Sequence, residues 1–255
     1  MAGITNSSMF WSSAMNDDND DLIRFASEIL TVRDELDPRV FNRNGAVHEH
    51  LRLRMLDRAD YLVKETVGMI DGLLTGDIVL LGSSASYFYR PGSDFDVKVE
   101  IINQNCPYLP KDTNGMDKFL ALAGGEFYTR NKYFYIGNRF LDMKLAAYIM
   151  DVAWTGVYSL NENKWRIEPK NNLTKGFTVD SLIDYYHQRC AEIDAFMGSL
   201  PQTDGKYGKE ECQKMFDYYR TQVLGRNQTI EDYLAFKLIK ATRKLKNLGG
   251  FIFAQ

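Results

Sequence analysis

No run in this 255-residue chain approaches the ~18 consecutive apolar residues that a membrane span requires. The opening segment MAGITNSSMFWSSAMNDDNDD has neither the basic start nor the apolar stretch of a secretory signal, so export is not expected. Cysteine is scarce: Cys106, Cys190 and Cys212 are odd in number and lack the spacing of metal ligands. Free thiols in a reducing, cytoplasmic setting are the expectation. Neither sign of charge is in large excess. With 31 Lys and Arg against 34 Asp and Glu, the net charge of −3 speaks against bulk electrostatic binding of nucleic acid, though not against a local basic face. Only six prolines interrupt the chain, and 45% of its residues are hydrophobic, enough to build a large core in one domain or two.

What is there sorts into helices, then strands, then helices. Residues 1–20 read as a mobile polar tail whose acidic end suits a helix N-terminus. Leu22, Phe25, Ile29 and Val32 recur at helical spacing. A second helix is expected from about Val47 to Ile70, with Leu51, Met55, Ala59, Leu62 and Met69 on its buried face. Strands follow in IVLLG and DFDVKVEII, then a short helix in DKFLALAGG, with a turn at Gly124-Gly125 beside Glu126. FYTRNKYFYI and RFLDMKLAAYI flank Gly137-Asn138, a two-residue hairpin signal. GVYSLNENKWRIEP reads as short strands, with Trp165 as a core anchor. Beyond Pro169 the pattern is helical; one stripe runs Leu182, Tyr186, Cys190, Ile193, Met197, and a last helix opens with a capping box at Thr229–Asp232 and ends at Gly249-Gly250. The class is α+β: a mixed sheet with helices before it and a helical region after it, divided as 1–20, 21–170 and 171–255.

The chemistry concentrates in LLGSSASYFYRPGSDFDVKVEI. Asp94 and Asp96 alternate along a strand, so both point to one face while Phe95 and Val97 point to the other. Like charges on one face repel, which calls for a cation between them. Two carboxylates suit Mg²⁺, an ion that favours carboxylate and phosphate oxygens over an all-protein cage. Upstream, across a spacer of ten residues, Gly82-Ser83 ends an apolar strand, where glycine lets a phosphate approach the backbone and serine adds a hydroxyl. A third acid, Asp142, emerges alone from the apolar strand NRFLDMKLAA, sharing its face with Phe140 and Lys144.

Gly-Ser, a ten-residue spacer, hydrophobic-flanked Asp-x-Asp and a later lone acid on a strand resemble the DNA polymerase β-type nucleotidyltransferase superfamily. In order along the chain, LDPRVFNRNGAVHEHLRLRMLDRADYLV, VLLGSSASYFYRPGSDFDVKVEI, IGNRFLDMKL and GVYSLNENKWRIEP look like the predicted nucleotidyltransferases of large tailed phages, over residues 36–169. That group more often shows Ser-Asp-Ile/Leu-Asp, so Phe95 is a conservative departure, and the likeness stops before the C-terminal helices. The resemblance implies a two-metal site served by Mg²⁺ or Mn²⁺, with Asp94, Asp96 and Asp142 as catalytic metal ligands. Gly82, Ser83, Arg90 and Lys144 are the candidate nucleotide-binding residues; for Lys144, neutralising the acidic face is an equal alternative.

The expected reaction moves NMP from an NTP to a hydroxyl acceptor and releases pyrophosphate, in the cytoplasm, or in a host's if the chain is phage-encoded. ATP is taken as donor on frequency alone. Small-molecule, nucleotide or protein acceptors, including a second nucleotide in linear or cyclic oligonucleotide synthesis, are favoured over long nucleic acid because the chain is acidic. A non-catalytic nucleotide- or protein-binding module on the same fold is the alternative. Lys237, Lys240 and Lys244 line one helix face, the ordinary wet side of such a helix, and a phosphate role for them stays open.

Overall fold

A computed structural model of the protein describes residues 19–149, 156–199 and 229–242. The chain divides into two compact units: Val32–Asn172, and a second unit joining the residues before Val32 to those from Leu173 onward. In chain order the elements are helices α1 (Asn19–Leu30) and α2 (Glu49–Thr66), strands β1 (Leu73–Leu81) and β2 (Phe95–Asn103), helix α3 (Thr113–Arg130), strands β3 (Phe134–Ile136), β4 (Arg139–Ala146), β5 (Val157–Ser159) and β6 (Lys164–Ile167), and helices α4 (Val179–Gly198) and α5 (Ile230–Ala241).

The first unit is built on a six-stranded sheet in the order β3-β4-β2-β1-β5-β6. Strands β2 and β4 run parallel and the other neighbours antiparallel, so the sheet is mixed, as expected for an α+β chain. A parallel pair needs a long crossover, and α3 supplies it between β2 and β4. Burial alternates along both strands: Phe95, Val97, Val99 and Ile101 of β2 and Leu141, Met143 and Leu145 of β4 are buried. They pack with Leu51, Met55, Ala59 and Leu62 of α2 and with Met116, Leu120 and Phe127 of α3 in one core cluster. Full burial of each such side chain contributes ~1.5–3 kcal/mol. The helices therefore claim one face of this parallel pair, and the intervening residues of β2 and β4 take the other.

Local details agree with the sequence at several points. The β3–β4 hairpin turns at Gly137-Asn138, with Gly137 at φ +64° and Ile136 paired to Arg139. Trp165 anchors the core by stacking on Phe41 at 5.0 Å and donating its indole N–H to the Gly45 carbonyl at 3.0 Å. Elsewhere the structure corrects the expectation. Helix α3 runs 18 residues, through Gly124-Gly125 and into FYTR, because Asp112 caps its first turn and Met116, Leu120 and Phe127 bury one continuous side. Burial of that side outweighs the ~1 kcal/mol that each interior glycine costs. Glu126 accordingly sits in a helix, paired with Arg130, and not in a turn. Met69 lies past the end of α2 and is exposed.

In the second unit α1, α4 and α5 meet through Leu22, Ala26, Ile29, Leu182, Leu234 and Leu238. The sequence pattern groups α1 with the sheet; its apolar stripe packs instead on the C-terminal helices. An amphipathic stripe says that a helix is covered, but not by what. Thr229 caps α5 by accepting the Asp232 N–H at 3.2 Å. Cys106 and Cys190 are buried. Of the expected 1–20 tail, Asn19 and Asp20 open α1 instead, while residues 1–18, Cys212, Lys244 and the glycine pair ending the last helix lie outside the described residues. No helix among the described residues is long and apolar enough to cross a membrane.

Candidate active site

The parallel pairing of β2 with β4 places Asp96 and Asp142 directly opposite each other in register. Neighbouring strands lie ~4.8 Å apart, and registered residues leave the same face. That face is turned away from the helix-packed core: Asp96 and Asp142 are half-buried, while Phe95, Val97, Leu141 and Met143 on either side of them are buried. Asp94 falls one residue before β2, beyond the first registered pair, Phe95 with Leu141. The structure thus brings Asp96 and Asp142 together and sets Asp94 at the entrance to the same pair of strands.

Gly82 explains the approach of the preceding turn. Strand β1 ends at Leu81, opposite Asp96, and Gly82 follows at φ +73°. A Cβ on Gly82 would lie 2.0 Å from Oδ2 of Asp96. Both the left-handed backbone and the close carboxylate exclude a side chain there. The chain then makes a single 3₁₀ turn, Ser83–Ala85, in which Ser83 is half-buried and Ser84 is buried. Arg90 closes a second turn: its N–H donates to Ser93 Oγ at 2.9 Å, and Ser93 N–H donates to the Arg90 carbonyl at 3.0 Å.

A buried ionic network holds these turns, and nothing in the sequence pattern announces it. Asp37, fully buried, accepts from Arg39 Nε at 2.8 Å and from a terminal nitrogen of Arg39 at 2.7 Å, and also pairs with Arg139 at 3.2 Å. Arg139, the first residue of β4, donates to the Ser93 carbonyl at 2.7 Å and to Ser84 Oγ at 2.7 Å, and its guanidinium stacks 3.9 Å from the Phe95 ring centroid. Ser84 Oγ in turn donates to the backbone carbonyl of Asp94. Arg39 reaches the Pro91 carbonyl at 3.1 Å. One buried cluster therefore ties the turn after Gly82, the Pro-Gly-Ser turn and the backbone of Asp94 to the start of β4. Burial pushes the Asp37 carboxyl up, but the hydrogen bonds and charge of Arg39, with the charge of Arg139, outweigh it and hold the group below its ordinary value. Burial lowers Arg139, against the pull of Asp37. The legible signal was slight: an arginine opening an apolar strand, 102 residues from its acid.

On the open face the charges are arranged differently. Lys144 Nζ lies 2.5 Å from Oδ2 of Asp142, with the lysine side chain 62% exposed. Tyr128, from α3, donates its hydroxyl to the Met143 carbonyl at 3.0 Å. Its pKa is pushed up to about 12, first by burial and then by the negative charge of Asp142. Glu100 lies four residues beyond Asp96 and accepts the Asp77 N–H at 3.2 Å, serving the far end of the sheet.

The fit to a divalent ion turns on the donor set. Asp96 and Asp142 offer hard carboxylate oxygens side by side, the chemistry that Mg²⁺ or Mn²⁺ selects. The pairing of Asp142 with the Lys144 ammonium shows that the position attracts a cation. Among the described residues no three His, Cys, Asp or Glu gather as a metal-holding group, so the fit rests on this pair, with Asp94 adjacent.

No family model and no curated protein matches the chain, and the phage likeness rests on the sequence segments alone. Among solved structures, the chain is similar to a STING-associated CdnE c-di-GMP synthase from Capnocytophaga granulosa, at 10% identity and a TM-score of 0.25, covering 96% of this chain and 91% of that one. A likeness that remote carries no argument about this chain.

Proposed function

We propose that the protein is a metal-dependent nucleotidyltransferase that moves NMP from an NTP to a hydroxyl acceptor and releases pyrophosphate. The observation that supports it is the registered Asp96–Asp142 pair, capped by a glycine whose backbone passes against the Asp96 carboxylate. Asp94 and Asp96 would hold the Mg²⁺ or Mn²⁺ that comes with the NTP, and Asp142 would complete the site of a second ion; such ions neutralise phosphoryl charge and lower the pKa of an attacking hydroxyl. Gly82 leaves the backbone bare for a phosphate to approach, and Ser83 adds a hydroxyl at the same turn. Lys144, beside Asp142, and Arg90, in the turn before β2, would supply positive charge to the phosphates. Arg139 fixes where the turn and Asp94 stand relative to Asp142. The donor is taken as ATP and the acceptor as a small molecule, a nucleotide or a protein.

One observation favours a second reading. Lys144 already neutralises Asp142, as a binding module without metal chemistry would require. Incubation with Mg²⁺ and each labelled NTP, followed by product separation, decides between them. Pyrophosphate release from NTP alone indicates oligonucleotide synthesis; release only with an added acceptor indicates transfer; no release under any condition leaves the binding module. Where turnover is seen, Asp142→Asn lowers it by ~10³-fold, the scale of lost transition-state charge stabilisation, while Mg²⁺-NTP binding measured by calorimetry is largely kept. Asp96→Asn weakens both.

A further inference from the structure

Strand β3 is one of the two edge strands of the sheet, and with the residue before it displays more aromatic surface than an edge requires. Tyr133 and Tyr135 are 57% and 61% exposed. Beside them opens a cleft of about 330 Å³, lined by Arg58 and Tyr61 of α2 and by residues 131–135. That volume is at the small end of the range for small-molecule sites, ~300–1,000 Å³.

The rings are held in place. Tyr133 stacks on Tyr128 with centroids 5.2 Å apart and planes 21° apart, and meets Phe140 edge-on at 5.5 Å. Tyr135 meets Phe140 at 5.7 Å and is its register partner. Phe140 lies two residues before Asp142 on the same face of β4. The aromatic row thus runs from the carboxylate face to the cleft. Tyr128 is anchored through its hydroxyl, so the row is preorganised for stacking.

The charge in the cleft is positive. Arg58 lies over the Phe134 ring at 5.7 Å and reaches its own neighbour Asp57 only at 4.0 Å. Lys132 is exposed and makes no ion pair among the described residues. Among the described residues no carboxylate lines the cleft. Stacked rings with two nearby cations match a planar base carrying phosphate. A peptide added as a strand is a poorer match, because β3 offers only three residues of edge.

We propose that this cleft binds a nucleotide and that, in the transfer reaction proposed above, on which this second part rests, the bound nucleotide is the acceptor. Equilibrium dialysis with AMP, CMP, GMP and UMP in EDTA tests the binding without any turnover, since a monophosphate cannot act as donor. At least one of them binds; Tyr135→Ala and Lys132→Ala each weaken it by ~10-fold or more, as loss of a stacking or charged contact does. Asp142→Asn leaves this binding unchanged. Both cleft residues are exposed, and a thermal melt checks their folding; Arg58→Gln tests the opposite wall in the same way. Absence of binding by the unaltered protein, binding indifferent to all three cleft variants, or capture of a Trp-containing peptide in place of every monophosphate overturns the site. In the pyrophosphate assay the same monophosphate stimulates release from NTP, and Tyr135→Ala raises the concentration needed by ~10-fold. An unchanged requirement overturns the acceptor role and leaves the transferase standing. Monophosphate binding in a protein that never releases pyrophosphate removes the transferase, and with it the acceptor role, but leaves the nucleotide site.

Discussion

Strand β4 carries an ion pair on each face, and the two are built for opposite purposes. Arg139 at its start points into the interior, where it meets the fully buried Asp37 and gives its remaining donors to Ser84 and the Ser93 carbonyl. Five residues on, Lys144 points outward and holds Asp142 by a single nitrogen, in contact with solvent. In the first pair every charge is bound to protein, so the geometry around it is fixed. The second pair can be exchanged: water, a metal ion or a phosphate can replace either partner with little loss of stability. The buried pair sets positions and the exposed pair leaves chemistry available.

The sharpest way to break that comparison is to remove the acid at the centre of the buried pair. Asp37→Ala strands the Arg139 guanidinium in a site 9% exposed and leaves Arg39 to solvent. Breaking a buried pair from one side costs ~3–5 kcal/mol, because the orphaned charge stays desolvated. Arg39→Ala, at a half-exposed partner, costs much less, about 1 kcal/mol. Urea denaturation of both variants measures the order. An Asp37→Ala loss no larger than that of Arg39→Ala would remove the distinction between the two faces.

That network also marks where the sequence stopped being readable. The shared outward face of Asp96 and Asp142 was legible because a strand alternates its faces, and an acid between apolar neighbours declares which face it takes; Asp94, one residue short of β2, is not placed by that rule. For Gly82 the sequence suggests room for a phosphate; the structure supplies a nearer reason, the Asp96 carboxylate oxygen where its Cβ would be. Arg139 and Asp37 had no such local grammar. An arginine at the start of a strand is ordinary, and only the folded register brings it to an acid 102 positions away. Helix α3 was misjudged for the opposite reason: Gly124-Gly125 gave a strong local signal for a turn, and tertiary burial of Met116, Leu120 and Phe127 overrode it. The partner of α1 was illegible in principle, since its stripe of Leu22, Ala26 and Ile29 fits any apolar surface.

Acid sharpens the comparison by a smaller amount. The folded pKa of Asp37 is depressed below its reference of 3.8, so its contribution to stability is complete above that value and is lost as pH falls through the lower folded pKa. Denaturation midpoints should therefore hold steady down to about pH 4 and then fall more steeply in the unaltered protein than in Asp37→Asn, which has no carboxyl to protonate. Parallel curves for the two proteins below pH 4 would show that Asp37 is not the group being titrated.

The smallest effect belongs to the exposed pair, and it is the one that tests whether the site face is truly open to exchange. Lys144→Ala removes a side chain that is 62% exposed and touches Asp142 at one point. Such pairs contribute ~0–1 kcal/mol and are weakened by salt, so the variant should unfold within about 1 kcal/mol of the original, with the gap closing as ionic strength rises. Asp142 keeps its place without the lysine, because β4 is fixed by its register with β2 and by Leu141 and Met143 beneath it. The carboxylate is then freer to take another cation, and Mg²⁺ affinity measured by calorimetry should rise or hold, never fall. A stability loss above about 2 kcal/mol would place Lys144 among the structural charges, with Arg139, and the outward face of β4 would then be no more exchangeable than the inward one.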